Sequence, residues 1–302
     1  MDWKVFKKEL FYLKKAFLEY KRGFLYIYNR WLLVPRILKI SRTLEKSPTH
    51  DDFSIHILTC HRDIVMTLWS LASFFQAAVI IGNLFIHDDG SLTEADKRML
   101  KRFFPSAVLV DSRRFLEQFA AQLDMCPVLK HFRTRYTSFF SFKKIIDPYF
   151  VSDKKIHLIL DSDILWFNRP EELEREISVG CRKSFMQNNN TAIYATFKGG
   201  ARSDERLSHM NAGIILYSKD NFDIQKLCEF FERLDVENLS NLHFADQAGH
   251  AYCLKNVEAL DEQRYIIKGA VGKNTIAKHY TSPRRPLFYI EGVEILKDKI
   301  LR

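Results

Sequence analysis

Apolar positions in the first 34 residues recur at alternating steps of three and four: Trp3, Phe6, Leu10, Leu13, Phe17, Tyr20, Phe24, Ile27, Trp31 and Val34. That period predicts a long amphipathic helix, free of proline before Pro35 and weakened only at Gly23. Residues 41–52 are polar, hold Pro48 and read as a linker. From Ser54 the pattern changes. Short apolar runs at 55–58, 84–87, 107–110 and 156–160 predict strands. Helical stretches lie between them: 64–76, a helix from an N-cap at Thr93 to Phe104, and further helix up to Asp147, ahead of Pro148. Strands alternating with helices predict an α/β fold with a mostly parallel sheet and right-handed crossovers. Each strand ends in polar residues that this topology brings to one edge: Thr59 and His61, Asp88 and Asp89, Asp111, then Asp161 and Asp163. Open α/β sheets bind their ligands at that edge.

The second half is less regular. Residues 188–202 are polar and contain glycine, with a strand-like stretch at 192–197. Asn211-Ala212-Gly213 leads into a strand at 214–217, and a helix is expected over 221–234. Residues 244–248 open another helix, whose N-terminus suits Asp246 and Gln247. Residues 277–286 read as a loop because of their prolines, and the tail reads as a short helix.

Charge divides the chain more sharply than hydropathy does. Residues 1–46 hold 12 of the 46 Lys/Arg and 4 of the 37 Asp/Glu, so they carry nearly all of the net +9. The expected organisation is therefore a basic aromatic helical segment, 1–46, and an α/β domain, 47–302. With the remainder nearly neutral, nucleic acid is not the expected partner. The basic segment is open to three uses: packing on the body or on a twin subunit, lying on an anionic membrane, or serving as a nucleic-acid arm. Its aromatic content is high for a coiled coil. Five scattered cysteines with no metal-knuckle spacing read as reduced core thiols, which favours the cytosol. No apolar run has the length of a membrane span, and charges interrupt the start too often for a signal peptide. The expected location is cytoplasmic, with a peripheral place on the inner face of the membrane if the basic segment binds lipid.

The candidate chemistry centres on Asp161-Ser162-Asp163, set between the apolar runs 156–160 and 164–167. Buried charge needs a partner or a metal. Hard carboxylate oxygens at a strand end suit a divalent cation that keeps positions open for substrate phosphates. The same spacing also fits a strand-end turn with a local hydrogen bond. GxGxxG and GxxxxGK[ST] are both absent, which excludes the dinucleotide fingerprint and the P-loop.

Three later segments extend that pair: Met210-Asn211-Ala212-Gly213, Asp246-Gln247, and His279-Tyr280 with Pro283, Arg285 and Pro286. Together, and in this order, they resemble the family 8 glycosyltransferases over roughly residues 54–290. The resemblance implies a GT-A fold, a nucleotide-sugar donor (a UDP-sugar by preference), Mn²⁺ or Mg²⁺, and hexose transfer with retention to a glycan or glycolipid hydroxyl. It implies that Asp161, Asp163 and His279 hold the metal, with Asp161 also at the donor ribose. Arg285 falls where the family has a lysine on the donor phosphates. Asn211, Ala212 and Gly213 match the strand beside the donor sugar, and Asp246 and Gln247 match the pair at the anomeric carbon. Lys143 or Lys144 stands near a donor-contacting basic residue; read alone, both suit a solvated face. Where the family's first strand ends in an acidic segment, this chain has Thr59-Cys60-His61-Arg62, so His61 is placed to stack on the base and Arg62 to face phosphate. Thr59 and Asp88 are expected beside them on the donor edge. Ser282 replaces the usual glycine and Leu287 the usual tryptophan. An inverting or protein-modifying GT-A enzyme and a non-catalytic nucleotide-sugar scaffold remain open, as does a homo-oligomer.

Overall fold

The computed structural model describes residues 3–137, 139–189, 192–203 and 207–302, leaving aside the side chains of Lys4 and Val5. Its centre is a seven-stranded sheet. In chain order the strands are β1 (Phe53–Thr59), β2 (Asn83–Asp88), β3 (Val108–Val110), β4 (Ile156–Asp161), β5 (Ile164–Trp166), β6 (Ser184–Asn188), β7 (Met210–Ser218), β8 (Val257–Ala259), β9 (Tyr265–Ile266) and β10 (Ala277–His279). The large sheet is ordered β3-β2-β1-β4-β7-β6-β8, and a small one β5-β10-β9. β3, β2, β1 and β4 are mutually parallel. β7 runs against both β4 and β6, while β8 is parallel to β6. All but β7 therefore point the same way, and the expected mostly parallel α/β sheet is what the chain forms.

Helices cover both faces, so β1 and β4 bury all but one position each, Leu58 and Asp161, rather than alternating. Three histidines occupy such positions. His56 Nδ1 lies 3.0 Å from His87 Nε2, and its Nε2 lies 2.9 Å from Ser54 Oγ. Its ring stacks on His157 at an interplanar angle of 7°. Burial pushes His87 and His157 down to about 3, so both are neutral core rings.

Several boundaries differ from expectation for identifiable reasons. Pro148 lies inside the helix Ser141–Val151, whose packing absorbs the lost backbone hydrogen bond. Residues 192–197 form no strand; Thr196 and Phe197 make only isolated bridges, and 190–191 lie outside the described residues. The helix expected to open at Phe244 starts at Leu239, capped by the Asn238 side chain, so Asp246 and Gln247 sit in its interior. Part of the C-terminal loop is β10, paired to β5. Cys126 and Cys228 are joined by a disulfide, which corrects the all-thiol expectation and removes its compartment argument; Cys60, Cys181 and Cys253 are free.

The basic segment is two helices, Trp3–Leu18 and Gly23–Tyr28, broken at Lys21 (φ +52°) and continued by a π turn and a 3₁₀ turn to Lys39. Tyr12, Ala16, Tyr26, Leu33, Val34 and Ile37 are buried in the same core as β1 and β4. Trp69 Nε1 donates to the Val34 carbonyl, and Asn29 Nδ2 to that of Tyr289. Most of the stripe read from the sequence points the other way, with Trp3 64% exposed, Phe24 81% and Trp31 51%, while Leu13 and Tyr20 pack partly buried against the core and Val34 lies in it. No helix among the described residues is long and apolar enough to cross a membrane.

Candidate active site

β4 ends at Asp161, where its register with β1 places Leu58 opposite and its antiparallel partner β7 brings Gly213 alongside, one residue past the Leu160–Ile214 pair. The chain turns through Ser162 and Asp163 into β5. Because β10 pairs with β5, His279 is set opposite Ile164, and the Tyr280 amide donates to the Asp163 carbonyl at 2.9 Å. This short ladder carries an imidazole from 116 positions downstream onto the acidic pair. Nε2 of His279 lies 3.3 Å from Asp161 Oδ2 and 3.1 Å from Asp163 Oδ1. One donor atom from each of the three falls within 4.8 Å of the others.

Two neighbours fix that imidazole. Its Nδ1–H donates to Gln187 Oε1 at 3.0 Å, which aims the other nitrogen at the carboxylates. Gly213 leaves the ring its space: a Cβ there would stand 2.3 Å from His279 Nδ1 and 2.7 Å from Gln187 Oε1. Burial lowers the affinity of His279 for a proton, but Asp163 and Asp161 outweigh it and raise the pKa to about 9. Two carboxylates and an oriented imidazole fit a divalent transition metal. A cation there would take the place of the imidazole's second proton.

These residues line a cavity of about 410 Å³. On one side Lys144, buried on a helix, reaches Asp161 Oδ1 at 2.5 Å and Asp246 Oδ2 at 3.6 Å. Burial opposes ionisation of Asp161, yet Lys144 and His279 hold it well below the usual carboxylate range. Asp246 goes the other way: burial raises it, Asp161 adds repulsion, and Lys144 only partly compensates. Beside it, Gln247 accepts from Asn211 Nδ2 at 3.2 Å, while its own Nε2 is buried with no acceptor among the described residues. Such an unpaired donor costs free energy unless a ligand meets it.

The opposite wall gathers cations. Arg285 Nε lies 3.2 Å from Asp163 Oδ2, and its Nη1 lies 2.9 Å from Asp63 Oδ2. Burial disfavours the charged guanidinium, but Asp163 and Asp63 more than hold it. Arg62 pairs with Asp63 at 3.3 Å. Lys8, from the helix Trp3–Leu18, also lines the cavity; burial and then Arg285 and Arg62 lower its pKa. Asp63 and Asp163 balance the two guanidinium groups, so Lys8 is the cation of this wall with no carboxylate paired to it among the described residues, and an anion placed there would meet all three.

Of the residues singled out from the sequence, Thr59, Arg62, Lys144, Asp161, Asp163, Asn211, Ala212, Gly213, Asp246, Gln247, His279 and Arg285 meet at this cavity. Two do not. His61 turns outward and bonds Asp96, inside that helix's capping box. Asp88 accepts from the Gly90 and Leu92 amides and shapes the turn. Neighbouring Asp89 lines the cavity instead. Thr59 contributes wall more than ligand, since its hydroxyl is bonded to Thr67. Neither Lys143 nor Lys144 is a solvated face: both are buried, and Lys143 bonds the Asp89 carbonyl. Sequence reading missed Lys8, Asp63 and Gln187. Asp63 had a signal, standing next to Arg62 at the end of β1; Lys8 had none among its neighbouring lysines.

No protein-family model matches the chain, and no curated protein matches it either. Solved structures do. The apo structure of the bifunctional glycosyltransferase WbbM superposes with a TM-score of 0.53 at 12% identity, over 85% of this chain and 52% of that one. Mouse xyloside xylosyltransferase 1, in its apo form, gives a TM-score of 0.48 at 14% identity, over 78% of this chain and 99% of that one. The galactosyltransferase LgtC, in complex with donor and acceptor sugar analogs, gives 0.47 at 14%, over 76% and 87%. The fold is of the GT-A type, a mixed α/β sheet with its cavity at the carboxyl ends of β1 and β4.

Proposed function

We propose that the chain transfers a hexosyl group from a nucleoside-diphosphate sugar to a hydroxyl of a glycan or glycolipid, with retention of configuration. A divalent cation, Mn²⁺ or Mg²⁺, would be held by Asp161, Asp163 and His279. One observation carries the reading: the oriented acid–acid–imidazole cluster lies in the same cavity as a wall of three cations, Lys8, Arg62 and Arg285. That pairing suits a diphosphate bridged to a metal better than any neutral substrate. WbbM, which shares the fold, is a bifunctional glycosyltransferase, and that agrees with it.

When bound, the cation would neutralise negative charge on the diphosphate, as metal ions do at phosphoryl oxygens. The chain's own residues do the rest. Arg285 keeps a fixed, desolvated guanidinium where charge develops on the departing diphosphate. Asn211 orients Gln247, whose free Nε2–H is a donor for a sugar oxygen. Asp246 and Asp161, linked through Lys144, place negative potential beside the ring carbon as it becomes oxocarbenium-like. The bond from the anomeric carbon to phosphate oxygen breaks and the acceptor oxygen bonds to that carbon. The acceptor's proton goes to the leaving diphosphate, so no side chain need become covalently attached.

The test is a panel of nucleotide sugars, uridine diphosphate sugars first, screened by thermal shift with and without Mn²⁺ and then by turnover. A single donor class should raise the melting temperature in a cation-dependent way, because bound ligand stabilises the folded state. NMR of the product should show the donor's anomeric configuration. No shift with any nucleotide sugar in either condition overturns the reading; an inverted product overturns retention alone.

A further inference from the structure

The helix Trp3–Leu18 has two faces with opposite tasks. Inward, Tyr12 donates to Ser282 Oγ at 3.2 Å and Lys8 enters the cavity. Outward, it continues into Gly23–Tyr28 and the following turns as a band of exposed rings and branched side chains, among them Trp3, Phe6, Leu10, Phe24, Trp31 and Leu32. So large an apolar surface is unusual unless something covers it. We propose that this outward face docks on an anionic lipid bilayer.

Charge and composition choose the occupant. The segment 1–46 holds three times as many basic as acidic residues, 12 against 4, while the rest of the chain is close to neutral. Exposed cations run along the same segment: Lys7, 5.1 Å from the Trp3 ring centre, and Lys14, Lys21, Arg22, Arg36 and Lys39, whereas Lys15 and Arg30 are paired to Glu19 and Glu9. A protein interface of this apolarity is depleted of lysine at its centre. A helix lying at the headgroup level combines both, with rings seated among acyl chains and ammonium groups at the lipid phosphates. Leu10, Leu18 and Leu32, exposed in the same band, give bases nothing to stack on, which argues against nucleic acid. That the acceptor is itself lipid-held follows only if the transfer reading is right; the docking does not depend on it.

The chain reports on its own docking. Of its four tryptophans, Trp3 and Trp31 are exposed, while Trp69 and Trp166 are fully buried. Titrating the full chain with phosphatidylglycerol-containing vesicles should blue-shift and strengthen tryptophan emission. Pure phosphatidylcholine vesicles should give at least about tenfold weaker binding, and salt should weaken the anionic case. Trp3→Glu/Phe24→Glu/Leu32→Glu should lose vesicle co-sedimentation by about tenfold or more, with donor hydrolysis unchanged. Wild-type emission that ignores both vesicles overturns the proposal without recourse to any variant. So does equal binding to both lipids, or a dimer in sedimentation velocity that the triple variant dissolves while vesicles have no effect. Binding to oligonucleotides in place of vesicles would reassign the face to nucleic acid.

Discussion

At the cavity floor, Lys144, Asp163 and His279 are ionisable groups withdrawn from water, and Asp161 is half-buried beside them. On the helix that forms one wall of the same cavity, Trp3, Leu10 and Leu18 are apolar groups left in it. Each region inverts the ordinary rule of burial, and each inversion has a cost in the free chain. Buried ions cost several kcal/mol apiece unless their partners are well placed. Exposed apolar area forgoes roughly 25 cal/mol per Å². The difference lies in how the cost is held. At the floor, the ladder between β5 and β10 and the Gln187 amide fix every group in position, so the site is prepared before anything binds. The stripe is prepared for nothing within the molecule; its rings wait on a surface from outside.

The floor can be broken by one atom. Asp163→Asn keeps the shape and removes a charge that both His279 and Arg285 face. Turnover should fall by about 10³ or more, about 4 kcal/mol of transition-state stabilisation, with the near-ultraviolet circular dichroism unchanged. Activity within tenfold of wild type would mean that the acidic pair is not where the chemistry is organised. The contrast within the basic segment comes next. Tyr26 is fully buried, packs edge-on against Tyr289 at 5.5 Å and accepts from Arg30 at 2.7 Å. Tyr26→Ala should cost about 3–5 kcal/mol in a denaturant titration, as large-to-small core changes do. A cost below about 1 kcal/mol would show that the segment is an appendage and not a part of the core.

Gly213→Ala probes the preparation itself. The added methyl would collide with the imidazole and with Gln187, both packed, so His279 must swing off the carboxylates. A loss near a hundredfold in kcat/KM is expected, about 2.7 kcal/mol, together with weaker cation binding by calorimetry. An unchanged cation affinity would show that the ring tolerates displacement.

How much of this could be read without coordinates varies from residue to residue. The apolar run into Asp161 announces β4 and its acidic end, and Thr93 with Asp96 announces a helix start that the structure closes as a capping box. His279 was nameable from its motif, though its strand was hidden by the prolines that follow it. β6, Ser-Phe-Met-Gln-Asn, has neither alternation nor a continuous apolar run, so Gln187 and its hold on the imidazole were invisible. Nor does periodicity reveal which stripe of an aromatic helix meets the body. Phe11 and Tyr12 are adjacent, yet only Tyr12 is buried, because only its hydroxyl finds Ser282. Local sequence fixes faces; long-range partners decide which face is inside.

Acid tests the sheet beneath the site and the helix Leu239–Cys253. His87, His157 and His250 are each pushed down to about 3 by burial, against an ordinary value of 6.5. The unfolded chain then binds protons that the folded chain refuses. Stability is full above 6.5 and is lost as pH falls from 6.5 towards 3. Each ring should contribute a slope approaching about 1 kcal/mol per pH unit in that window, measurable as a falling urea midpoint. A midpoint that stays flat from pH 7 to about 5 would mean the rings are protonated in the fold.

The smallest expected effect is the most informative about the stripe. Phe24 is 81% exposed and touches the molecule chiefly through the edge of Phe17, at 5.3 Å between ring centres. Tyr26, two positions on, carries several kcal/mol in the same test. Phe24→Ala should therefore change folding stability by less than about 0.5 kcal/mol, the range of an ordinary surface position. A ring of that size, standing in water where it contributes nothing to the fold, fits a use outside the fold. If the substitution costs as much as Tyr26→Ala, the ring is packed in solution, the stripe is closed over itself, and the contrast between the two faces disappears. If it costs nothing, the folded body stands complete with its rings in water, and only a second surface gives them a purpose.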